Sequence, residues 1–333
     1  RIAQLPFTTT CANSQHLTIR WVSGHFACRS DGKERMYHSP LIDDPLTKVK
    51  SWYMHQACAC NHINALIGRV GKCVPSPNAA FVEQWLHPQL ALLSRAVGKH
   101  GQCAYSDIYR HLDAKKRAAY QRAEKELMRR GDLVYTTDAK VKMFIKQEGI
   151  RFNPDKVNPD CRAIQFRSKE YTLALAARIR RGEHATYSAR DVWCPGPHFA
   201  KNKNPRARAR DLRELHDLGF QHTIELDASR FDAHVGLPLL QAEHGYIRSV
   251  STARDVGRLL RMQLNNRGTF KCKTDAGEFA AGYESRGGRM SGDANTAYGN
   301  CILMGGMLAA FGRHIGHRFA LYCDGDDSVF FHD

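Results

Sequence analysis

The sequence predicts an α+β fold, in which helices and antiparallel strand pairs follow one another without repeated βαβ units. Three observations lead there. Segments with apolar residues spaced by three and four alternate with short β-rich pairs joined by Gly-bearing turns. The chain has 333 residues, 43% of them hydrophobic, enough to bury a substantial core. No internal repeat recurs along it, which sets aside solenoids and propellers.

From Pro45 to Val97 the helical spacing prevails, with Pro77 placed to start a helix and Pro88 to interrupt it. Asp113 can cap a helix whose inner face carries Tyr120, Ala123 and Leu127, closed by Arg129, Arg130 and Gly131. Leu133 to Ile145 alternates like a strand. A polar, proline-bearing loop from Glu148 to Asp160 leads to Arg162–Arg167 and a basic helix to Arg181. Cys194–Arg213 is rich in Pro and in cations (Lys201, Lys203, Arg206, Arg208, Arg210) and reads as a loop and internal boundary, suited to polyanion contact or to a solvated face. Beyond it, His222–Leu226 reads as a strand ending at Asp227, with helices from near Pro238 and from Thr252 to Leu264. A hairpin turning at Thr274–Gly277, a long helix from Gly292 to Phe311 and a last hairpin turning at Asp324-Gly325 complete the pattern.

Lys and Arg outnumber Asp and Glu by 49 to 33, a formal charge of +16, as expected of a protein that holds a polyanion. The 11 cysteines, an odd number without paired short spacings, read as reduced thiols of an intracellular protein. One dense patch, His55-Gln-Ala-Cys58-Ala-Cys60-Asn-His62, lacks the ligand gaps of common zinc folds and reads as ordinary buried thiols. No apolar run approaches the roughly 20 residues of a membrane span, and no signal peptide is evident. A start at Arg1 and an end at Asp333 suggest an incomplete reading frame.

Phosphodiester synthesis by two metal ions needs carboxylates converging from separate strands, because each Mg²⁺ prefers oxygen ligands and the pair must bridge nucleophile and leaving group. Two strand ends supply them. Asp227 closes the first, with Asp232 just past the turn, and Asp326 and Asp327 follow Gly325 at the second. A Gly-Asp-Asp triplet alone is weak evidence, since an ordinary hairpin tip can carry it. The ordered set is stronger. Asp227-Ala-Ser-Arg-Phe-Asp232, Arg289-Met-Ser-Gly-Asp-Ala-Asn-Thr296 with Gly299-Asn300, and Gly325-Asp326-Asp327 resemble motifs A, B and C of tombusvirus-like RNA-dependent RNA polymerases in order and spacing. Phe144-Ile-Lys146-Gln-Glu148 and Arg162-Ala-Ile164-Gln-Phe-Arg167 resemble motif F, so the likeness covers residues 105–333.

That resemblance implies a right-hand polymerase with a fingers region over residues 1–215, a palm with an antiparallel sheet over 216–333, and no thumb. It implies Asp227, Asp326 and Asp327 as catalytic and metal-binding residues, with Mg²⁺ or Mn²⁺ as cofactor. Lys146, Arg162 and Arg167 suit the triphosphate, since cationic side chains hold phosphate oxygens. Asp232, Ser291, Thr296 and Asn300 suit recognition of the ribose 2′-hydroxyl, and Gly292 a close backbone approach to template or nucleotide. Their plainer reading is local: Asp232 as a cap, Thr296 and Asn300 as satisfied helix residues. Implied partners are RNA template and primer, nucleoside triphosphates and other viral replicase proteins, at membrane-associated complexes of the host cytoplasm. Two departures stand out: Asp324 precedes Gly325 where relatives often carry Asn or Cys, which puts an extra acid beside the metals, and Phe166 replaces a proline. A reverse transcriptase would share the palm but exclude the 2′-hydroxyl with bulk after the first acid, where Ala228 and Ser229 are small. The third alternative is a non-catalytic RNA-binding fragment: the resemblance places motifs D and E and the thumb beyond Asp333, so the isolated chain is expected to incorporate little nucleotide.

Overall fold

The computed structural model describes residues 16–24, 34–38, 51–72, 74–75, 78–151, 161–274 and 277–333. In chain order, β1 (His16–Ser23), β2 (Glu34–His38) and β3 (Ser51–His55) precede α1 (Ala59–Ala65), α2 (Ala79–Phe81), α3 (His87–Val97), α4 (Tyr105–Tyr109) and α5 (Ala114–Arg129). Next come β4 (Val141–Ile145), β5 (Ile150–Arg151), β6 (Ala163–Phe166), α6 (Lys169–Tyr187) and α7 (Pro205–His216). The remainder is β7 (His222–Asp227), α8 (Phe231–His234), α9 (Leu237–Val250), α10 (Val256–Arg261), β8 (Asn265–Thr274), β9 (Gly277–Arg286), α11 (Thr296–Ile315), β10 (Phe319–Asp324) and β11 (Asp327–His332).

The fold is α+β, and its sheets are mostly antiparallel. Five strands pair in the order β1-β9-β8-β4-β6, with only β4 and β8 parallel. Three-stranded sheets β10-β11-β7 and β2-β3-β5 are antiparallel throughout. The five-stranded sheet therefore joins strands from both sides of residue 215. Its inner face buries Leu17, Val141, Phe270 and Tyr283 in one core. A larger core lies between α6, α9, α11 and the sheet carrying β10, where Tyr171, Tyr298, Ile302 and Leu321 are shut from solvent. An apolar helix such as α11 is stable only when neighbours cover it on nearly every side.

Several boundaries depart from the sequence-based expectation. Only Val141–Ile145 of the expected strand from Leu133 is extended, because the Asp138 carboxylate accepts from Tyr135 N–H at 2.8 Å and pairs with Arg130 at 2.9 Å, folding residues 133–140 into turns. Ser51–His55, inside the expected helical stretch, is a strand because β2 and β5 offer it partners. Pro88 does not interrupt its helix; it sits in the first turn of α3, after a wide π-type turn at Val82–Leu86, where its missing N–H costs nothing. The expected loop Cys194–Arg213 contains most of α7, started by Pro205 and capped by Asn204, whose side chain accepts from Ala207 N–H at 2.9 Å. The basic helix runs to Tyr187, α10 covers less than Thr252–Leu264, and α11 begins at Thr296 after a tight turn from Met290. Pro77, residues 152–160 and the tip at 275–276 lie outside the described residues.

Candidate active site

The site is built on a strand register. β11 lies between β10 and β7, and antiparallel pairing sets Asp327 directly across from Asp227. The turn from Asp324 to Asp327 has two central residues, of which Gly325 alone takes a positive φ, +81°, the pattern that suits the twist of a hairpin. Gly325 N–H donates to Cys301 Sγ at 3.2 Å and moors the tip to α11. Past β7, Arg230 is left-handed (φ 54°) and turns the chain so that Asp232 comes back beside Asp227. Asp227, Asp232 and Asp326 line one cavity of about 820 Å³, and Asp327 stands exposed at its edge.

The acids disturb one another. Burial raises the pKa of Asp326 above the usual carboxylate value, and the charges of Asp232 and Asp227 raise it further. Asp327 is raised by burial and then by Asp326, Asp227 and Asp324. Asp232 is raised by burial, although Arg289 and Asn300 oppose the shift.

Lys146 and Arg162 form part of the wall of the same cavity, adjacent because Lys146 N–H donates to Arg162 C=O at 2.8 Å beyond the β4–β6 ladder. Both reach Glu148, at 2.7 and 3.3 Å. Burial alone would push the Glu148 carboxyl up, but these two cations hold it below its usual range. Ser291 completes this wall, its hydroxyl donating to Ala163 C=O at 3.3 Å. Asn300 donates from Nδ2 to Asp232 at 3.3 Å, while its buried Oδ1 has no partner.

Three expected nucleotide contacts stand elsewhere. Arg167 is buried away from the cavity, its guanidinium donating to Asp293 at 2.7 Å, Asn266 at 2.6 Å and Ala139 C=O at 2.5 Å. With its fork saturated, it braces the Met290–Asn295 turn. Gly292 lies close to protein backbone: its N–H donates to Gln165 C=O at 2.8 Å, and a Cβ there would lie 2.6 Å from that oxygen. Thr296 turns its hydroxyl to Met290 C=O at 2.8 Å. Asp324 is ion-paired with Lys201 at 2.5 Å and Arg208 at 2.6 Å. Burial raises its pKa, but the two cations outweigh burial and hold it low, so the extra acid is already neutralised. In the cysteine patch, His62 stacks on Phe270 and hydrogen-bonds Cys58 C=O through Nδ1.

Sequence reasoning assigned no role to Arg289, although it quoted the residue. Arg289 is buried, lines the cavity beside Asp232 and forks onto Glu243, which also accepts from Asn295 at 2.7 Å. The missing signal was Glu243, 46 residues upstream on α9.

Among the described residues no three His, Cys, Asp or Glu side chains are drawn together into a finished metal cage. The donor set nevertheless fits a hard divalent cation in kind: Asp227, Asp232 and Asp326 offer carboxylate oxygens to one cavity, and burial first, then the neighbouring acids, raise Asp326 and Asp327, a cost that a bound cation would offset.

An α+β fold thus brings carboxylates from two strand ends and the cations Lys146 and Arg162 to one cavity. Comparison with known proteins gives the family: residues 33–333 match the model of viral RNA dependent RNA polymerases, and the chain belongs to that family. The RNA-directed RNA polymerase of Oat chlorotic stunt virus (isolate United Kingdom) is 33% identical over 262 residues, covering 77% of this chain and 34% of that protein. That of Red clover necrotic mosaic virus is 33% identical over 260 residues, 75% of this chain and 31% of that protein. Carnation mottle virus supplies a third, 32% identical over 239 residues, 71% and 30%. The resemblance to tombusvirus-like polymerases read from the motifs is borne out, and the chain spans about a third of the length of these relatives. No helix of the described residues is long and apolar enough to cross a membrane.

Proposed function

We propose that this chain performs template-directed RNA synthesis, copying a positive-strand viral RNA genome from template, primer and nucleoside triphosphates with two Mg²⁺ ions, Mn²⁺ being able to substitute. Residues 1–215 form the fingers region and 216–333 the palm, with β8 and β9 reaching back into the fingers sheet; no thumb is assigned within these residues. Assembly with other replicase proteins at membrane-associated complexes of the host cytoplasm belongs to the same reading. The observation that carries it is the register that sets Asp227 against Asp327, with Asp227, Asp232, Asp326, Lys146 and Arg162 all lining one cavity.

Asp227 and Asp326 hold the cations, with Asp327 assisting. Cations held by these residues would supply a lowered pKa for the primer 3′-hydroxyl and charge neutralisation for the pyrophosphate leaving group. Lys146 and Arg162 orient the triphosphate, drawn from Glu148 by its greater charge. Asp232, Asn300 and Ser291 read the ribose. The unpartnered Asn300 Oδ1 is a buried acceptor waiting for a donor, which a 2′-hydroxyl supplies and a deoxyribose does not. This favours an RNA product over the reverse transcriptase reading.

The test is a primed-template assay on this chain and on forms extended at either end. Incorporation should require Mg²⁺ or Mn²⁺ and fall at least about 100-fold in Asp326→Ala. Undiminished synthesis by Asp326→Ala would overturn the assignment.

A further inference from the structure

A second basic cavity, of about 430 Å³, opens between the C-terminal end of α9 and α10, and it shares no lining residue with the candidate active site. Lys99, Arg248, Arg254, Arg258 and Arg261 line it. We propose that this cavity is a separate binding site for the phosphate backbone of RNA.

The cations are held together by backbone, which makes the cavity a built feature. His100 N–H donates to Val250 C=O at 2.8 Å, and Thr252 N–H donates to His100 C=O at 2.9 Å, so the segment carrying Lys99 is tied to the one carrying Arg254. Arg258 is fixed by donating to Val134 C=O at 2.8 Å. The Nε of Arg248 would lie 3.3 Å from a Cβ at Gly257, so its guanidinium runs beside α10.

The charge is also unspent. Among the described residues no acid pairs with Lys99, Arg248, Arg254 or Arg261, and all four are exposed. The nearest carboxylate, Asp255, is taken by the buried Arg178 at 2.7 Å and lies 4.0 Å from Arg258. Like charges gathered around a concave surface without counter-ions repel one another, and a polyanion relieves that repulsion. RNA fits better than a membrane surface. The cavity is concave, Ala253 and Val256 are its only apolar side chains, and none of the exposed large hydrophobic residues lines it. A phosphate chain carries closely spaced charges for several cations at once, each contact releasing counter-ions.

The experiment measures binding of a short, unstructured, fluorescein-labelled single-stranded RNA by anisotropy across a salt series. The variant Lys99→Gln/Arg254→Gln/Arg261→Gln removes three exposed charges from this cavity. A control, Lys115→Gln/Arg117→Gln/Lys125→Gln, removes the same charge from the exposed face of α5. The cavity variant should bind at least about ten-fold more weakly at low salt, and the slope of log K against log salt should fall by about two, three contacts at about 0.7 each. The control should change both far less. Equal losses in the two variants would show that only net charge matters and would overturn the proposal. So would intact RNA binding in a cavity variant that has lost co-sedimentation with phosphatidylserine vesicles, which would give the cavity to a membrane. The anisotropy is read without divalent metal or nucleotide and the catalytic reading is tested by incorporation, so failure of the one and failure of the other are read from different experiments.

Discussion

Asp326 holds a carboxyl that the fold drives toward its protonated form. Its pKa is higher in the folded than in the unfolded chain, so its stabilising contribution is full below the unfolded value and is lost as pH rises through the folded one. At neutral pH the ionised group opposes folding. Asp326→Asn should therefore melt at a higher temperature than the parent at neutral pH, with the gain shrinking as pH approaches the acid range; melting curves at both pH values check this, and an unchanged or lower neutral Tm would contradict the shift. Arg167 presents the opposite case. Its partner Asp293 is also buried, so Arg167→Met leaves an uncompensated carboxylate and should cost about 3 kcal/mol in chemical unfolding. Pairing it with Asp293→Asn should recover much of that loss, and additive losses would show that the two do not act as a pair. Residue identity and order made the acids legible in the sequence. Arg289 and Arg167 were harder to place because their roles depend on Glu243, Asn266 and Asp293, which only the fold brings alongside.

Among elements, the turn from Met290 to Asn295 depends on contact with β6. Gly292→Ala would drive a Cβ against Gln165 backbone, which cannot move aside as a side chain would. The expected cost is about 1–3 kcal/mol, with faster amide exchange at Gly292, whose N–H donates across that contact. Unchanged stability and protection would mean the two segments separate freely. Strands β7, β10 and β11 could be read from short β-prone runs bounded by acidic turns, and α5 from its cap and closing cations. The helix α7 could not. Its prolines and cations read as a loop, while the ties that dock it join distant residues: Arg208 to Asp324, and Asp211 to the Tyr322 hydroxyl at 2.7 Å. Residues 133–140 misled in the other direction, their alternation overridden by the local bonds of Asp138.

At the scale of the whole molecule, the β7 edge of its sheet has no paired strand among the described residues. β7 ends the order β10-β11-β7, and its Ile224 is 41% exposed. An exposed apolar edge strand is a template for pairing with another chain, so Ile224→Lys should lower concentration-dependent light scattering, and equal scattering would place self-association elsewhere. The same sheet has a consequence for how the site would take up its ions. Asp227 and Asp327 are set opposite one another by an antiparallel backbone ladder made of main-chain pairing alone. With both backbones fixed in this way, taking up cations would call for side-chain rotation rather than folding and would bury little apolar surface. Calorimetric titration with Mg²⁺ at several temperatures should give a heat-capacity change near zero, whereas a site that folded around its metal would give a large negative one.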